Sequence, residues 1–139
     1  MKRRLLAVFM LGMMLILSTS VVYAADYTYG PTTLGATQPS SYKVYPNVRK
    51  KSSTTKYFTN KNTYARKTSD GTAMKYYTNA WDGDKDNTRA SNSSTIYNSG
   101  QTANVTLYTA YQKAGVNLQL EVGNPNGVSI DVKGKWNPN

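Results

Sequence analysis

Period-two alternation of apolar and polar residues runs through the last third of this chain and confines the fold to antiparallel sheet. Val116, Leu118, Leu120 and Val122 alternate with Asn117, Gln119 and Glu121. Val128, Ile130 and Val132 alternate with Ser129, Asp131 and Lys133, and Gly134 and Trp136 continue the apolar face. Successive side chains of a strand point to opposite faces, so each segment buries one face and wets the other. Upstream, Val105, Leu107 and Tyr111 share a face. The expectation is three strands over about 103–111, 116–122 and 128–136, joined as a meander. Gln112-Lys113-Ala114-Gly115 supplies one turn. Asn124-Pro125-Asn126-Gly127 supplies the other, with Pro fixing φ and Gly taking the left-handed conformation. Trp136 belongs to the core on this parity.

The central region carries weaker versions of the same signal. Residues 54–59 and 63–67 are short Thr/Tyr-rich segments, and Asp70-Gly71 is a tight-turn signal ahead of a strand over 72–78. Lys56-Tyr57-Phe58-Thr59-Asn60 is echoed by Lys75-Tyr76-Tyr77-Thr78-Asn79, which reads as two similar strands rather than a repeat architecture. Residues 26–42, rich in Gly, Pro, Ser and Thr, read as a mostly irregular N-terminal arm with room for an edge strand. Residues 43–139 then form one all-β domain, a small antiparallel β-sandwich or partly open barrel of six to eight strands.

Residues 1–25 have a different character. Met1-Lys2-Arg3-Arg4 is a basic start, residues 5–22 carry no charge, and the run closes on Val22-Tyr23-Ala24-Ala25. This is the layout of a helical secretory signal peptide cut after Ala24 or Ala25, and it is preferred over a membrane anchor because Ser18-Thr19-Ser20 interrupts the apolar run, the run ends on V-x-A, and no cation immediately follows it. Export then leaves a mature chain of about 115 residues, secreted or loosely held at the cell wall. Loss of Lys2, Arg3 and Arg4 lowers the formal charge from +10 to +7.

The chain has no His and no Cys. Ser-His and Cys-His nucleophile pairs cannot be built, nor can ordinary zinc sites or disulfides. Only seven carboxylates remain for acid–base work, and nothing in the sequence sets two of them across a cleft. The expectation is therefore a non-enzymatic protein; an enzyme built on the acidic loop ranks last.

Three constellations remain. In residues 43–75, Lys43, Arg49, Lys50, Lys51, Lys56, Lys61, Arg66, Lys67 and Lys75 face a single acid, Asp70, among many Tyr. The pattern is that of a polyanion surface. Export argues against nucleic acid as the partner and for an anionic cell-wall polymer or membrane surface; the plainer reading is that the charges solubilise the surface and blunt edge strands. Asp82, Asp84 and Asp86 alternate in Asp82-Gly83-Asp84-Lys85-Asp86-Asn87, a Ca²⁺-loop spacing, but Ser93 stands where an EF-hand needs Glu. Pairing of these acids with Lys85 and Arg89 is the alternative, so no cofactor is expected beyond that candidate Ca²⁺ loop. Trp81, beside the loop, is the candidate for an exposed aromatic contact. No small-molecule substrate is identified.

The segments Gly115-Val116-Asn117-Leu118-Gln119-Leu120 and Val132-Lys133-Gly134-Lys135-Trp136-Asn137-Pro138-Asn139 resemble the close of small secreted proteins from Gram-positive bacteria, with a final strand of G-x-W-x-P-[DN] type. The chain is also distantly similar to lactococcin-type bacteriocins, which are secreted, cysteine-free β-sandwiches acting at the cell envelope. The resemblance implies a β-sandwich at the Gram-positive envelope. It leaves two expectations: association with anionic envelope polymers through the basic, Tyr-rich surface, or a bacteriocin-type antimicrobial or signalling role.

Overall fold

The computed structural model describes residues 25–38 and 41–139. The expected signal peptide falls almost wholly on residues 1–24 and so lies outside the described residues. Nine strands follow in chain order: β1 (Tyr27–Leu34), β2 (Tyr42–Val44), β3 (Arg49–Lys50), β4 (Tyr57–Lys67), β5 (Tyr76–Asp82), β6 (Ser94–Ile96), β7 (Thr102–Thr106), β8 (Asn117–Gly123) and β9 (Ile130–Asn137). They form two antiparallel sheets, one ordered β1-β9-β4-β7 and one ordered β2-β8-β5-β6 with β3 also paired to β8. The sheets do not close into a barrel. The fold is a β-sandwich.

Alternation sets the two inner faces. The four-stranded sheet turns in Tyr29, Leu34, Phe58, Ala65, Val105, Ile130, Val132 and Trp136. The five-stranded sheet answers with Tyr76, Ala80, Ile96, Leu118, Leu120 and Val122. Burial of this apolar surface is the main force holding the layers together. Trp136 is in the core as its parity requires, 4% exposed and edge-on to Phe58 with ring centroids 6.3 Å apart.

The meander expected over 103–136 does not form. β7 lies in the four-stranded sheet, β8 in the five-stranded sheet and β9 back in the four-stranded one, so each connection crosses the sandwich. β7 ends at Thr106, and Thr109–Tyr111 is a 3-10 turn. The 124–127 segment is a crossover rather than a tight hairpin. Asn124 holds it, accepting from Asn126 N–H at 2.9 Å and donating to the Gly35 and Val128 carbonyls at 2.7 and 2.8 Å. Left-handed φ falls at Gly115, not at Gly127.

Other boundaries shift for local reasons. Residues 54–59 and 63–67 merge into β4, with a register shift between Asn62 and Tyr64. The echoed pentapeptides fall on β4 and β5 with opposite parity: Phe58 and Asn60 point inward from one, Tyr76 and Thr78 from the other. The Asp70-Gly71 turn forms, with Gly71 at φ +75 and Gly71 N–H donating to the Lys67 carbonyl at 2.9 Å. The arm over 26–42 holds an eight-residue strand at the sheet edge. Its pattern is hidden because a register shift between Tyr29 and Thr32, at Gly30 and Pro31, puts Tyr29 and Leu34 out of parity while both stay buried. An edge position tolerates Pro31, which has no N–H to give.

A polar node crosses the centre of the sandwich. Asn60, fully buried on β4, accepts from Tyr29 Oη at 2.8 Å and donates through Nδ2 to Thr78 Oγ1 on β5 at 2.9 Å. Tyr76 Oη lies 2.7 Å from Tyr29 Oη, and Thr78 Oγ1 donates to the Glu121 carbonyl at 3.1 Å. Gly134 makes room for this arrangement. A Cβ there would collide with the Tyr29 ring and hydroxyl and sit 2.7 Å from the Lys61 carbonyl oxygen. Gly134→Ala is expected to cost on the order of 2–3 kcal/mol, because one of the obstructing groups is neighbouring backbone. Urea unfolding checks this; an unchanged midpoint would show that the Tyr29 ring can move aside.

Candidate functional site

The structure divides the basic block between the two sheets. Lys43 on β2, with its ammonium 5.3 Å from the Tyr45 ring centroid, and Arg49 and Lys50 on β3 line one border of the five-stranded sheet. The Arg49 guanidinium stacks over Tyr27, 4.2 Å from the ring centroid. Lys51 is 1% exposed, and its Nζ donates to the Ser53 carbonyl at 2.5 Å. Burial pushes its pKa down. Lys51 is therefore removed from any polyanion surface: a side chain with a long apolar stem satisfies a turn carbonyl instead. Lys67 pairs with Asp70 at 2.9 Å. Hydrogen bonds from Thr72, then Lys67, hold the Asp70 carboxyl below the usual carboxylate range. Lys56 and Lys75 are exposed just before β4 and β5.

Lys61 and Arg66 are placed differently, on the outer face of the four-stranded sheet. β9 lies beside them and its alternation turns Lys133 and Lys135 outward, two residues outside the 43–75 block. Lys61 is directly cross-strand from Lys135, Tyr64 from Lys133, and Arg66 from Asp131. The Arg66 guanidinium sits 4.6 Å from the Tyr64 ring centroid, and Thr33 Oγ1 donates to Asp131 at 2.6 Å. Four cations thus share one sheet face with one carboxylate on β4 and β9. Like charges directly opposite each other destabilise a sheet. Nor are these lysines guarding an edge: β4 and β9 are the two central strands, while the edge strands β1 and β7 carry no Lys or Arg.

The acidic loop does not gather its carboxylates. Asp82 ends β5 pointing inward, 7% exposed, and accepts from Tyr111 Oη at 2.9 Å and from Asp84 N–H at 2.8 Å. Asp84 accepts from Asn117 Nδ2 at 2.8 Å, and Asp86 is exposed. Among the described residues no group of three His, Cys, Asp or Glu side chains converges as metal ligands would. Asp82 is turned inward to Tyr111 and Asp84 outward to Asn117, so the carboxylates diverge instead of wrapping one point. Among the described residues no ion pair joins Asp82, Asp84 or Asp86 to Lys85 or Arg89 either: Asp82 is met by Tyr111 and the Asp84 N–H, Asp84 by Asn117, and Arg89 turns to Glu121.

Trp81 stands in a second feature, an open groove of about 690 Å³ on the outer face of the five-stranded sheet. Its floor is Glu121 on β8, only 2% exposed although its parity points it outward. Trp81 Nε1 donates to Glu121 Oε2 at 2.6 Å, Asn79 Nδ2 to Oε1 at 3.0 Å, and the Arg89 guanidinium reaches Oε1 at 4.0 Å. Arg89 also lies 5.5 Å from the Trp81 ring centroid. Tyr42 and Tyr77 both stand cross-strand from Gly123. Any Cβ at 123 would strike the Tyr77 ring, which lies across the β8 backbone there. Burial, then the nearby Glu121 charge, pushes the Tyr77 pKa up. The sequence singled out Trp81 as a contact and Arg89 only as a partner of the acidic loop; Tyr42, Tyr77, Arg89 and Glu121 join Trp81 only through the β2-β8-β5 pairing.

No protein-family model, curated protein or solved structure matches this chain.

Proposed function

We propose that this chain is a secreted, non-enzymatic β-sandwich that associates with anionic polymers of the cell envelope through the outer face of its four-stranded sheet. The observation that carries the reading is the cross-strand pair Lys61 and Lys135, flanked by Lys133 and Arg66, on two central strands. Charges placed to solubilise or to blunt edges have no reason to stand opposite one another in mid-sheet, where they work against the fold. A polyanion laid across the face relieves that repulsion, and Tyr64 adds a flat surface between the cations. The absence of His and Cys from the sequence supports binding rather than covalent catalysis. The export signal read in residues 1–25 supports envelope polymers over nucleic acid.

The mature chain is expected to sediment with purified Gram-positive walls that carry teichoic acid, to be released as salt is raised, and to stay in solution with stripped walls. Binding that ignores salt, or no binding at all, refutes the electrostatic reading.

A further inference from the structure

We infer that the groove over β2, β8 and β5 is a binding site for an uncharged sugar ring of a polysaccharide. The inference stands apart from the polyanion reading, since the groove lies on the other sheet and rests on different residues.

The outer face of an antiparallel sheet is ordinarily polar and solvated. Here it carries three aromatic rings, Tyr42, Tyr77 and Trp81, around a concavity whose volume falls in the range of small-ligand sites, ~300–1,000 Å³. Two of the rings are held by costly devices. Tyr77 lies flat only because residue 123 is Gly. Trp81 is fixed by its 2.6 Å hydrogen bond to a carboxylate that is itself almost wholly removed from water. Burying a carboxylate is unfavourable unless it is hydrogen-bonded and paired. Glu121 is both, and the result is an indole held in place before any ligand arrives, with the half-exposed Arg89 guanidinium beside it.

The charges then narrow the ligand. Three carboxylates, Asp82, Asp86 and Glu121, line the groove against two cations, Lys85 and Arg89, and of the acids Asp82 is turned inward to Tyr111 while Glu121 is met by Arg89. A polyanion would find no complementary field there, and a cationic peptide at most a single unit of negative charge. What remains is a set of apolar ring faces beside planar hydrogen-bonding groups: the Gln119 amide, the Arg89 guanidinium and the Asp86 carboxylate. A pyranose ring has the matching chemistry, with C–H bonds on one face to lie on an aromatic ring and hydroxyls round its rim to meet amides and charged groups.

The test titrates cellotetraose, maltotetraose and chitotetraose at millimolar concentration into the mature chain, followed by calorimetry and by tryptophan emission. Trp136 is sealed in the core, so a change in emission reports on Trp81. At least one sugar is expected to bind, with an affinity that high salt leaves unchanged. Trp81→Ala should abolish binding. Tyr42→Ala, at an edge-strand position 39% exposed, should weaken it about tenfold without disturbing the core. Replacing Lys61, Lys133 and Lys135 should leave sugar binding intact, which separates this site from the polyanion face. Failure of all three sugars to bind overturns the inference, as does binding that survives both aromatic variants. A concentration-dependent dimer that Tyr42→Ala dissociates, with no response to sugar, would assign the groove to a second copy of the chain instead.

Discussion

Raising the pH from 9 to 11 is expected to destabilise this protein far more steeply than its surface charge alone would. Tyr29 and Tyr76 meet hydroxyl to hydroxyl in the middle of the sandwich, both almost fully buried. Burial first, and for Tyr29 the neighbouring Tyr76 next, raises both pKa values far above the ordinary tyrosine range. A phenolate there would lose its hydration and stand against a second phenol, so the folded state keeps both protons. The unfolded chain gives them up near pH ~10. The stability contribution is therefore fully present below that pH and is lost above it, at about 1.4 kcal/mol per tyrosine per pH unit, or roughly 2.7 for the pair. Burial also raises Tyr45, Tyr77 and Tyr111, which steepens the same limb. Only the step from pH ~10 to 11 lies above the unfolded pKa, so by pH 11 the pair has cost roughly 2.7 kcal/mol, a large share of a domain's ~5–15 kcal/mol. Urea midpoints at pH 8, 9, 10 and 11 check this. The Tyr29→Phe/Tyr76→Phe pair should be less stable at pH 8, because Asn60 Oδ1 loses its donor, yet show a shallower alkaline fall. An equal slope in wild type and variant would mean that the node is open to water.

The same node shows where sequence reading stops. Period-two alternation identified which side chains of 116–122 and 128–136 are buried, and Val122, Val132 and Trp136 stand where it placed them. It could not say what they pair with, because an inward face reads alike from either sheet of a sandwich. Hence three consecutive alternating segments suggested a meander, while the chain in fact crosses the sandwich twice between β7 and β9. Asn60 and Thr78 look like ordinary polar residues of a Thr/Asn-rich chain. Only the facing of β4 and β5 turns them into an internal hydrogen-bonded pair. Glu121 was legible as outward-facing, but its burial depends on Trp81 one strand away. The basic block was drawn from neighbours in sequence, whereas a sheet face is assembled from neighbours in register. Lys133 and Lys135 were already marked as outward by the alternation of β9, yet their closeness to Lys61 required the β4–β9 pairing.

That pairing supports the other large effect. The Lys61→Gln/Lys133→Gln/Lys135→Gln variant is expected to lose envelope binding on the order of a hundredfold while its melting temperature stays level or rises. A lysine held close to an anionic surface contributes about 1 kcal/mol, so three removed together give about 3 kcal/mol. The fold loses nothing comparable. All three side chains leave the solvent face of the sheet, Lys61 and Lys135 stop repelling each other across the strands, and relief of such a pair returns ~0.2–1 kcal/mol. Lys43→Gln/Lys50→Gln, on the border of the other sheet, removes nearly as much charge from a different place and should reduce wall binding far less. If the two variants lose affinity equally, net charge rather than the Lys61–Lys135 face governs binding. If the triple variant is destabilised, those lysines serve the fold, and the argument from their mid-sheet repulsion fails with it.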